Sequence, residues 1–127
     1  MTEPAQLAQC IETIERGYEY LLAYAAQGRQ DEGGTEARST LEAMHGAAGQ
    51  VAALARAALG VAVSGEVGAY LDAVARDALT ARGAMALVLG RARIGSLLVD
   101  NLNASVHLRA LLTDVFLLEQ ALKAEAG

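Results

Sequence analysis

The apolar positions of this chain recur three and four residues apart, the spacing of an amphipathic helix, over four segments punctuated by glycine. Leu7, Ile11, Ile14, Tyr18, Leu21 and Ala25 make the seam of the first segment, predicted as a helix over about 4–27. Thr2 is placed to cap it, Pro4 is tolerated in its first turn, and Gly28 supplies the stop. Ala37, Leu41, Met44, Ala48, Val51, Ala55 and Ala58 give the seam of a second helix over about 35–59. Gly46 and Gly49 lie inside it and weaken it, so a close crossing with a neighbouring helix is expected there. Val67, Leu71, Val74, Ala78, Ala81, Met85 and Val88 carry a third helix over about 65–89, with Ser64 as a cap and Gly90 as a stop. The link GRQDEGGTE, polar and holding a Gly-Gly pair, reads as the one flexible connection.

The fourth segment, 94–124, is the most apolar. Taken as one helix, it puts Ile94, Leu97, Leu98, Leu108, Leu111, Leu112, Val115, Leu118 and Leu122 on one broad arc. Val99, Leu102, Val106 and Leu117 then form a second apolar stripe, and Asp100, Asn103, His107 and Asp114 a polar one. Asn101 and Ser105 fall within the main apolar arc, where a buried amide needs partners. More apolar circumference than three companion helices can cover predicts an external partner. Tyr20 and Tyr24, one turn apart off the first seam, add a candidate contact pair.

No stretch alternates as a strand would. The expected fold is all-α: one domain over residues 1–127, an antiparallel up-down-up-down four-helix bundle with short connections.

Composition narrows the function classes. The net charge of −5 gives no basic surface for a nucleic acid or an anionic membrane. No tryptophan and a single phenylalanine leave little for stacking platforms. No uninterrupted apolar run is long enough to span a bilayer, and MTEPAQLAQC has no secretory pattern, so a cytoplasmic protein is expected. Cys10 stands alone, which excludes an intrachain disulfide, and nothing nearby in the sequence lowers its pKa. Arg82, Arg91 and Arg93 form a small cationic group that suits solvation or a single anion. Protease, P-loop, dinucleotide and zinc motifs are absent.

One short segment carries chemistry. Glu42 and His45, at i and i+3, share a helix face, half of the ligand set of carboxylate-bridged bundles. With Glu15 from the first helix, alongside Glu12 and Glu19, they would make a transition-metal site, completed by a second copy of the chain. The stretch Glu42-Ala-Met-His45-Gly46-Ala-Ala-Gly49 also resembles the surroundings of the phosphorylated histidine in histidine phosphotransfer domains, whose pattern is His-x-x-Lys-Gly followed by small residues. Matched on Gly46, Glu42 takes the phosphorylated position and His45 that of the lysine. Matched on His45, Gly49 fits and Ala48 replaces the lysine. Either way the resemblance implies a degenerate docking domain.

The residues favour a non-enzymatic interaction module, an adaptor, assembly factor or small chaperone, that binds protein and forms a homodimer without a cofactor. The metal-binding bundle is the alternative and the docking domain the second.

Overall fold

The four predicted segments become five helices in the computed structural model, which describes residues 2–60 and 65–126. α1 spans Glu3–Ala25, α2 Ala37–Ala58, α3 Glu66–Leu89, α4 Ser96–Ala104 and α5 Val106–Ala126. No strand occurs among the described residues, and none of the helices is long and apolar enough to cross a membrane. The helices pack as an all-α bundle: α1 on α2, α2 on α3, α3 on α5, with α4 and α5 both against α1.

Local signals start and stop the helices where the sequence suggests. The Thr2 hydroxyl accepts from the Ala5 N–H at 3.3 Å and satisfies one orphan donor of α1. Gly60, with φ at +63°, follows the end of α2 in a conformation that side chains avoid. The proposed Ser64 cap lies outside the described residues, and Gly65 holds the N-cap position of α3.

Most of the seams are buried. Leu7, Ile11, Ile14 and Leu21 of α1 and the whole α2 seam from Ala37 to Ala58 form the core with Leu71 to Val88 of α3. Each large aliphatic removed from water contributes about 1.5–3 kcal/mol. Tyr18 and Ala25 sit at the core's edge, and Val67, in the first turn of α3, is 56% exposed. The Arg56 guanidinium ties α2 to α3 through the Gly68 carbonyl at 3.1 Å and the Asp72 carboxylate.

The close crossing falls at a glycine other than those expected. Gly17 of α1 is buried, and a methyl group there would run into the Met44 side chain of α2. Gly46 faces open space, and beside Gly49 lies the Arg82 side chain rather than a helix backbone. Gly46→Ala is therefore expected to stabilise the protein by about 0.5–1 kcal/mol, the helix-propensity gain with no steric cost. Chemical denaturation measures it, and a loss of stability would mean that position 46 is crowded.

The fourth predicted helix is broken. Ser105 takes φ −59° and ψ 131°, extended backbone between α4 and α5. Its hydroxyl accepts from the His107 N–H at 3.3 Å, and its carbonyl accepts from the Arg109 N–H at 3.1 Å, so it serves as the N-cap of α5. The break resets the helical phase. Val99 and Leu102, expected on an outer stripe, are buried, while Leu97, expected in the main arc, is 75% exposed. Asn103 rather than Asn101 is the buried amide. Its Nδ2 donates to the Leu21 carbonyl at 3.1 Å and its Oδ1 has no partner, whereas Asn101 is exposed and bonds to the Leu97 carbonyl at 2.9 Å. After the break, Leu108, Leu111, Leu112, Val115 and Leu118 point into the core as expected.

The link expected to be flexible is fastened instead. The Ser96 N–H donates to the Arg29 carbonyl, and the Arg29 N–H donates to the Ser96 hydroxyl, both at 2.9 Å. The same hydroxyl donates to the Tyr24 carbonyl at 2.8 Å. Glu32 accepts from the Ile94 N–H at 2.8 Å through one oxygen and from the Arg38 guanidinium at 2.7 Å through the other. Arg38 also reaches the carbonyls of Leu89 at 2.8 Å and Arg91 at 3.0 Å. Gly95 makes this clasp possible: an added Cβ would stand 3.0 Å from the Arg29 and Gln30 carbonyl oxygens.

Candidate functional site

Beside the α4–α5 break lies a groove lined mainly by apolar side chains. It encloses about 200 Å³ between Ala84, Leu87 and Val88 of α3, Leu98, Asn101 and Leu102 of α4, and Ser105. Asn101 and Ser105, picked out in the sequence as polar residues in apolar surroundings, do line this groove together. Leu87 on its rim is 66% exposed, and Val106, the residue after Ser105, is 69% exposed. Leu117 is 57% exposed and lies eleven residues further along α5, within about 20° of the same bearing. Phe116 is also exposed. Of the stripe expected to meet a partner, Val106 and Leu117 stand free, while Val99 and Leu102 belong to the core.

The tyrosine pair is part of the clasp. Tyr24 is fully buried, and its hydroxyl donates toward the Ile94 carbonyl at 2.5 Å and the Asp31 carbonyl at 3.0 Å. Burial pushes the phenol's pKa up. The Tyr20 ring stacks on Tyr24 with centroids 6.4 Å apart, and its hydroxyl accepts from the Glu36 N–H at 3.0 Å. Tyr24 is not an outward-facing contact residue, because its hydroxyl is what joins the two loops.

The candidate metal ligands have different surroundings. Glu42 is exposed and lines a shallow groove with Gln9, Thr13 and Gln50. His45 is half-buried. Glu15 is half-buried, and burial first, then the Glu119 charge, pushes its pKa up. Among the described residues no three His, Cys, Asp or Glu side chains gather as a metal ion requires. Cys10 is buried, donates to the Gln50 amide oxygen at 2.9 Å and has its pKa raised by burial. Arg82 packs over Gly49 with its Nε buried and without a hydrogen-bond partner, whereas Arg91 and Arg93 are exposed in the loop after α3.

A polar cluster that the sequence reading missed joins α3 to α5. The Tyr70 hydroxyl donates to Asp114 Oδ1 at 3.3 Å, and the Asp77 charge also bears on Asp114. Burial first, then Asp77, pushes the Asp114 pKa up to about 7. Burial and the Asp114 charge push Tyr70 up to about 12. The other oxygen of Asp114, Oδ2, is wholly buried and has no partner. A signal for this existed: Tyr70 and Asp77 are two turns apart on one face of α3, within about 20°. Asp114, assigned to a wet stripe with His107, faces α3 instead, and His107 is exposed.

Comparison with family models, curated proteins and solved structures finds no match to this chain, so its geometry alone supports a functional reading.

Proposed function

We propose that this protein is a non-enzymatic interaction module, an adaptor, assembly factor or small chaperone of the cytoplasm that pairs with a second copy of itself. In this reading one domain forms an antiparallel up-down-up-down bundle whose fourth position α4 and α5 share. The observation that carries it is the exposed apolar set Leu87, Val106, Phe116 and Leu117 on α3 and α5. Scattered single apolar residues are ordinary on a surface, but exposed side chains such as Leu87 and Val106 beside an apolar groove favour a partner. Tyr24, fully buried, does not contribute to this surface.

Sedimentation equilibrium tests the reading. A dimer is expected at high micromolar concentration. Val106→Glu with Leu117→Glu should convert it to a monomer while changing thermal stability little, since both side chains are exposed. A wild-type monomer at that concentration would remove self-association from the proposal.

A further inference from the structure

We propose that two copies of this chain exchange α5: Ser105 straightens, α4 and α5 fuse into one helix, and each α5 fills the core of the other copy. This rests on the self-pairing proposed above and names how the second copy is held.

The hinge is one backbone angle. Ser105 has a φ of −59°, the value of an α-helix, and only its ψ of 131° departs from one. No proline or glycine lies between Ser96 and Ala126, so the sequence permits a continuous helix there. The break deprives the last carbonyls of α4 and the first N–H groups of α5 of helical partners, and the Ser105 hydroxyl serves one of them, the His107 N–H. A straight helix pairs these groups with each other.

The fused helix has two apolar sides. With Ser105 helical, Leu97, Ala104, Leu108, Leu111, Val115 and Leu118 fall within an arc of about 80°. Val99 and Leu102 leave from the far side. In the broken form Leu97 is 75% exposed, while Leu108, Leu111, Val115 and Leu118 are buried and so are Val99 and Leu102. A straight helix held by one bundle could not bury both sides. Shared between two bundles, it can. Val99 and Leu102 stay in their own core, the α5 side chains enter the core of the other copy, and Leu97 turns the same way. The occupant is therefore a second copy. Drawing α5 out of its bundle exposes a row of buried side chains and leaves a slot of matching shape, and an identical chain offers both the slot and the helix.

Sedimentation equilibrium and cross-linking test the exchange. Ser105→Ala removes the cap that holds the broken form and should tighten the dimer about tenfold, since two hinges straighten per dimer. Val106→Pro should give a folded monomer. Proline suits the first position of α5 and keeps the residue before it near the ψ that Ser105 already has, but it cannot lie inside a fused helix. A pairing through the surface alone would survive that change, because proline keeps the position apolar. For the cross-link, Tyr70→Cys and Asp114→Cys are combined with Cys10→Ser and treated with bis-maleimidoethane. The Tyr70 hydroxyl reaches Asp114 at 3.3 Å, so the two positions face each other. The dimer should then run as two joined chains on a denaturing gel. A dimer whose cross-link stays within one chain, that Val106→Pro leaves intact, or that Ser105→Ala does not tighten overturns the exchange and leaves self-pairing standing. A monomer throughout, Ser105→Ala included, overturns both.

Discussion

Gly17→Leu is expected to destabilise the protein by about 3 kcal/mol, the upper part of the range for overpacking a filled core. The reason lies in the α1–α2 crossing. A Cβ at position 17 would sit 2.5 Å from Met44 Sδ and within 3.4 Å of the Thr40 methyl group. Met44 is fully buried, so its side chain has no solvent to move into. Gly17→Ala should cost less, about 1–2 kcal/mol, because alanine's helix propensity returns roughly 1 kcal/mol of the steric loss. The sharper test is the sign in a second background. Met44→Ala alone removes a buried side chain and should cost about 2–5 kcal/mol. With Met44 gone, the methyl at 17 meets nothing hard, and Gly17→Ala should stabilise. A double-mutant cycle by urea denaturation measures this reversal. Additive effects would show that the two positions are not in contact.

Arg38→Ala should cost about 2–3 kcal/mol, most of it from hydrogen bonds to carbonyls that nothing else can supply. One guanidinium holds the carbonyls of Leu89 and Arg91 and the Glu32 carboxylate. The Arg38 side chain is 36% exposed, so its ion pair with Glu32 contributes under about 1 kcal/mol by itself. Arg38→Lys should recover little, since an ammonium cannot span three acceptors in a plane. The clasp also has a pH signature. The Ile94 N–H, with the Glu32 N–H and Arg38, holds the Glu32 carboxyl at about 2, below its ordinary 4.5. Its contribution is present above pH 4.5 and is lost as the pH falls through 2. Acid titration of stability from pH 6 to 2 should therefore fall more steeply in the wild type than in Arg38→Ala. Parallel curves would mean that Arg38 does not bear on Glu32.

Periodicity made the first three helices legible. Spacing of three and four identifies a buried face without tertiary information, and α2 obeyed it from Ala37 to Ala58. It failed at Ser105, because a helical wheel assumes a continuous phase. One extended residue breaks the phase between the segments on either side of it, so a wheel anchored on the leucines after Ser105 places Val99 and Leu102 outward and Leu97 inward. The crowding of Asn101, Asn103 and Ser105, all cap formers, was the available sign of a break. Gly46 and Gly17 make a similar contrast. Composition says that a glycine weakens a helix, but only the neighbour across the crossing says what the glycine is for. The clasp and the Tyr70–Asp114 contact were hidden because their partners are far apart in sequence. The candidate site was legible only in part, through Asn101, Ser105, Val106 and Leu117.

The clasp has a kinetic meaning. Ser96 and Arg29 meet across 67 residues, and their loops become neighbours only after the helices between them have docked. Contacts of such long sequence separation are expected to form after the folding barrier. They leave the refolding rate nearly untouched and act as a brake on unfolding.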